Sequence, residues 1–138
     1  MDYALTTTVA RPFAEVLEEA RAALADQGFG VLTEIDMAAT LRAKTGAEIP
    51  DQVILGACRP PLALEAVRAE PSVGLLLPCN VVVRAGDAGR TVVEAIDPGV
   101  MTTLTGNEAL AGVAADARER LSAALGSLEH PRPREDHA

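Results

Sequence analysis

A chain of 138 residues, 49% apolar, has the length and apolar content of one domain that buries a core unaided. Its net charge of −8 opposes binding to duplex DNA or anionic membranes, and an aromatic content of 2% leaves no stacking platform for single-stranded nucleic acid. No apolar run reaches the roughly 20 residues of a membrane span. The Met1-Asp2-Tyr3 start lacks the positive region and apolar core of a signal peptide, so the expected compartment is the cytoplasm and the two cysteines are expected as reduced thiols.

Residues 3–9 (YALTTTV) are rich in β-branched side chains and predict a strand. Pro12 suits a first helical turn, and Phe13, Val16, Leu17, Ala20 and Leu24 recur at helical spacing until Gly28, a left-handed cap. Residues 29–35 predict the second strand. Asp36 is placed to cap a short helix over residues 37–44, which Gly46 ends. Residues 53–55 predict a buried strand running into Gly56-Ala57-Cys58, and Pro60 and Pro61 start a helix over residues 62–69.

Residues 74–83 (GLLLPCNVVV) form the most apolar run and predict a strand, with Pro78 implying an edge position or a bulge. Residues 85–89 turn the chain into a hairpin partner at 91–96, and Asp97-Pro98-Gly99 makes a further turn. Asn107, or Thr105 with Glu108, is expected to cap a last helix burying Leu110, Val113, Ala114, Ala117, Leu121 and Leu125. The packed domain is expected over residues 1–126, with 127–138 a disordered tail holding both histidines, His130 and His137. Without imidazole in the folded part, Ser-His-Asp, Cys-His and histidine-zinc chemistry drop out.

The predicted order, β-α-β-α-β-α-β-β-α, describes an α+β domain: a small, mainly antiparallel five-stranded sheet with helices packed on one face. Its uncovered face or edge points to a homodimer.

Residues 28–36 (GFGVLTEID), 54–58 (ILGAC), 74–83, and Asp97-Pro98 with Met101 and the closing helix together resemble the bacterial family called domain of unknown function 302, over residues 3–125. The resemblance implies a compact α+β fold that forms homodimers, with no settled activity and no catalytic residues to carry over. The family pattern Gly-Ala-Cys-Asn-Pro here reads Gly56-Ala57-Cys58-Arg59-Pro60, which exchanges a small amide for a guanidinium beside a thiol.

Two readings of the chemistry follow. In the first, the domain is a non-enzymatic binding module for a small ligand or partner, with Cys58, Arg59, Cys79, Asn80 and Lys44 as candidate contacts. Both cysteines flank apolar strands and serve equally well as small core hydrophobes. Asn80 suits backbone satisfaction at a bulge or ligand contact. Lys44, the one lysine beside eleven arginines, suits either a helix C-terminus or amine chemistry that arginine cannot perform. In the alternative, Cys58 and Cys79, with Met101 as a third donor, form a redox dithiol or a soft-metal site of the copper(I) type. Neither reading names a ligand, and the cofactor is unknown.

Overall fold

The computed structural model describes residues 2–130. Five segments are extended: β1 (Ala4–Val9), β2 (Gly30–Asp36), β3 (Gln52–Cys58), β4 (Cys79–Ala85) and β5 (Thr91–Ile96). Five are α-helical: α1 (Phe13–Asp26), α2 (Met37–Thr45), α3 (Pro60–Ala69), α4 (Gly99–Thr105) and α5 (Ala111–Ser127). The strands form one sheet in the order β1-β5-β4-β3-β2, every neighbouring pair antiparallel. This is the expected α+β fold, and its parts follow from local chemistry. Asp36 accepts a hydrogen bond from the Ala39 N–H at the start of α2, which ends on Gly46 at φ 74°.

Strand alternation sends Leu55, Ala57, Cys79, Val81, Val83, Val93 and Ala95 to one face, where all are buried. There they meet Val16, Ala20 and Leu24 of α1 and Leu121 and Leu125 of α5, in the larger of two core clusters. Burial of each large aliphatic here contributes about 2 kcal/mol relative to exposure. The second cluster joins Leu62 and Ala66 of α3, Val73, Met101 of α4, and Val113, Ala114 and Ala117 of α5. The N-terminal half of α5 therefore serves one cluster and its C-terminal half the other. Among the described residues, the strand side chains of the opposite face, such as Ile54, Val82 and Val92, lie outside the buried part of both core clusters.

Several expectations need correction. The strand expected at 74–83 begins only at Cys79, because Pro71–Leu76 forms a 3-10 helix. Pro78 sits just outside β4, so its missing N–H removes no ladder bond and β4 takes an interior place in the sheet, neither at an edge nor bulged. The sheet's irregularity lies instead in β2, between Val31 and Thr33.

The turn expected at Asp97-Pro98-Gly99 opens α4, which the periodicity did not announce. Asp97 Oδ1 accepts from the Gly99 N–H at 2.9 Å, and the Thr103 and Thr105 hydroxyls donate to carbonyls four residues back. Asn107 does cap, but it caps the 3-10 turn Glu108–Leu110, and α5 follows from Ala111.

The ordered chain also outruns residue 126. Leu128 is buried in the larger cluster, its carbonyl accepts from Arg11, and Thr7 donates to the Glu129 carboxylate. His130 is exposed, and residues 131–138, with His137, lie outside the described residues. Among the described residues no helix is long and apolar enough to cross a membrane.

Candidate functional site

The β3–β4 register pairs Ala57 with Cys79 and Gly56 with Asn80, and this register sorts the candidate residues. Cys79 falls on the helix-covered face and is buried, whereas Asn80 falls on the uncovered face and is exposed. The two neighbours in sequence cannot serve one site.

Around Cys79 the ends of β3 and β4 meet α3 and α5 at a narrow cavity of about 20 Å³, bordered also by Cys58, Arg59, Leu62, Met101 and Val113. Four of the six residues singled out from sequence thus share one wall: Cys58, Arg59, Cys79 and Met101. The lining is otherwise almost wholly apolar. Arg59 is the N-cap residue of α3, its Nε is buried without a hydrogen-bond partner, and no ion pair holds it among the described residues. Its side chain lies over Gly28, where φ is 82° and an added Cβ would come within 3.1 Å of Nε. Gly28 is thus required both by its backbone and by the guanidinium above it.

Both cysteines are free. Cys79 faces Ala57 in the register, so Cys58, one position further along at the end of β3, lies diagonal to it, and both residues border the same cavity.

Burial pushes the Cys79 thiol up to about 11, and the neighbouring Cys58 adds to the rise. The folded state therefore keeps its proton where the unfolded chain, near 9.0, loses it. Unfolded chains then bind fewer protons than folded ones as pH climbs through that window, so stability present below pH 9 drains away toward pH 11. Equilibrium urea unfolding is expected to lose about 2 kcal/mol across that window, a slope that Cys79→Ala flattens.

Lys44 is exposed in the last turn of α2. It stands where a cation complements the helix dipole and belongs to neither concavity described here.

The uncovered face holds what the sequence did not disclose. One row across it reads Ile35, Ile54, Val82, Glu94 and Thr6, each paired in register with the next. A parallel row reads Gln52, Arg84, Val92 and Thr8. Arg84 and Glu94 join in an ion pair at 3.0 Å, so these two rows carry no net charge in a chain of −8.

At one end of the face the sheet meets α4 and the 3-10 helix in a groove of about 350 Å³, walled by Tyr3, Leu75, Pro78, Asn80, Ile96 and Leu104. Leu75 is 88% exposed, Leu104 64% and Tyr3 62%, high values for large apolar side chains. Among the described residues the Asn80 side chain has no hydrogen-bond partner. The sequence signal was present but masked: Leu75 reads as strand in an apolar run, and Leu104 sits in the unannounced α4.

The family model for the domain of unknown function DUF302 matches residues 5–128. The crystal structure of an uncharacterized conserved DUF302 protein from Bacillus stearothermophilus is similar, with a TM-score of 0.84 and 30% sequence identity, covering 91% of this chain and 98% of that one. No curated protein matches the chain.

Proposed function

Because the chain belongs to the DUF302 family, whose description assigns no activity, we propose from its own residues that it is a homodimeric binding domain working through the uncovered sheet face. The observation that carries this reading is the face itself. It has an apolar centre of Ile35, Ile54, Val82 and Val92, a polar margin of Thr6, Thr8 and Gln52, and its single charge pair satisfied internally. An apolar centre with a polar rim is how protein interfaces are built. Charge selects a second copy as the occupant. Two chains of −8 repel over most of their surfaces, but these rows meet without placing like charge on like charge.

The groove at the end of the face has the volume of a small-molecule site. Its walls suit an apolar ligand, and the free Asn80 amide offers one donor and one acceptor group to orient it.

Sedimentation and native mass spectrometry test the dimer. The wild-type chain, of 14.3 kDa, is expected at twice that mass. Val82→Lys, which adds a charge at the centre of the face, is expected to raise the dimer dissociation constant about 100-fold or more, while circular dichroism stays unchanged. Leu75→Glu and Asn80→Ala should leave the dimer intact and weaken ligand capture in the groove. A wild-type chain that stays monomeric up to millimolar concentration would sink the reading.

A further inference from the structure

The cavity on the other side of the sheet is unrelated to that face, and its contents follow a different logic. We propose that it is a site for one soft monovalent cation of the copper(I) class, held by the sulfurs of Cys58, Cys79 and Met101, with Arg59 balancing the charge.

Size is the first argument. At about 20 Å³ the cavity admits one body the size of a water molecule and excludes organic ligands. Water is poorly served there, since it requires two to four polar partners and the walls are almost wholly apolar.

Donor chemistry is the second. The sulfur-bearing residues that border the cavity number three, two thiols and one thioether. Among the described residues no group of three or more His, Cys, Asp or Glu side chains could hold a metal. Zinc, which takes four nitrogen, sulfur or oxygen donors, and calcium or magnesium, which take oxygen, therefore lack a ligand set here. Two thiolates with a thioether suit copper(I) and its congener silver(I).

Charge is the third, and it involves a group independent of the sulfurs. The Arg59 Nε–H is buried with nothing to donate to, beside a cavity whose thiols are neutral when protonated. Entry of one monovalent cation displaces two thiol protons to solvent and forms two metal–sulfur bonds, so the bound centre carries one negative charge. That charge answers the guanidinium, and a metal-bound thiolate is an acceptor for Nε–H. A divalent ion on the same two thiolates would be neutral and would leave Arg59 unanswered.

Cys58 is the last residue of β3 and is only partly buried, and its register partner on β2 is Gly30, which brings no side chain beside it. It borders the cavity together with Cys79.

Silver(I), which needs no reductant, is the first probe. The reduced full-length chain is titrated with silver nitrate and read by native mass spectrometry, with copper(I) competition against bicinchoninate as the second measurement. One ion per protomer with loss of two protons is the expected result. Cys58→Ser and Cys79→Ser should each weaken binding about 100-fold, Met101→Leu about tenfold, and Arg59→Gln about tenfold with the stoichiometry unchanged. Circular dichroism confirms that each variant is folded. Because Cys58 and Arg59 are only partly buried, their variants keep the test decisive if Cys79→Ser fails to fold. Two ions per protomer, each replacing one proton, would show independent thiols and overturn the proposal. So would zinc binding of equal strength, or a Cys58→Ser chain that binds as the wild type does.

Discussion

Replacing Gly56 with alanine is expected to lower the free energy of unfolding by about 3 kcal/mol, a large loss for a single methyl group. Gly56 lies in β3, between β2 and β4, and pairs with Thr33 on one side and Asn80 on the other. A Cβ there would overlap Thr33 Oγ1 and stand 2.9 Å from Pro78 Cγ. The threonine hydroxyl can rotate away, whereas the proline ring belongs to a rigid backbone and cannot. Urea unfolding should show a lower midpoint with an unchanged slope, the signature of lost stability without a change in exposed surface. Thr33→Ala in the Gly56→Ala background should recover about 1 kcal/mol, measured as a coupling energy in a double-mutant cycle. A cost below about 1 kcal/mol for Gly56→Ala alone would show that β3 shifts freely, contrary to the close packing described.

Leu121→Ala should cost a similar amount, about 3 kcal/mol, for the opposite reason: it opens a void where Gly56→Ala overfills one. Leu121 is fully buried in the larger cluster, against the sheet and α1. Its consequence reaches further than its contacts, because α5 carries Val113, Ala114 and Ala117 into the second cluster. Loosening the C-terminal half of α5 should weaken both clusters together. Hydrogen exchange of α3 amides is therefore expected to accelerate along with that of α1. If α3 kept its protection while α1 lost it, the two clusters would be separate cooperative units.

The parts legible in the sequence were those with a strong period or a cap. α1 and α5 declared themselves through apolar residues three and four apart, and α2 through Asp36 and Gly46. The misreadings have physical causes. Gly74-Leu75-Leu76-Leu77 is apolar without a period, and such a run does not distinguish strand from helix. The structure makes it a 3-10 helix that leaves Leu75 in solvent. α4 contains Thr102, Thr103 and Thr105, poor helix formers, of which Thr103 and Thr105 satisfy their hydroxyls within the helix. Alternation already implied that Cys79 and Asn80 point to opposite faces. Two facts that the sequence did not carry bring Cys58, Arg59, Cys79 and Met101 to one wall. They are the β3–β4 register and the packing of α4 against α5.

The strand order has a consequence for how the chain comes into being on the ribosome. β2 through β5 each pair with the strand that follows or precedes them, but β1 pairs with β5, across which Ala4 meets Ile96. The first strand to emerge therefore waits for the last before it has an edge to join. The wait is longer still for its inner face, because Thr7 donates to Glu129, 122 residues later. Such long-range closure slows folding, since the entropy of the intervening loop is lost before the contacts form. During synthesis β1 is a bare, β-branched ribbon with its future partner untranslated. A chain released before α5 is complete would expose that ribbon to other nascent chains, and such truncated products should be bound by chaperones until they are cleared.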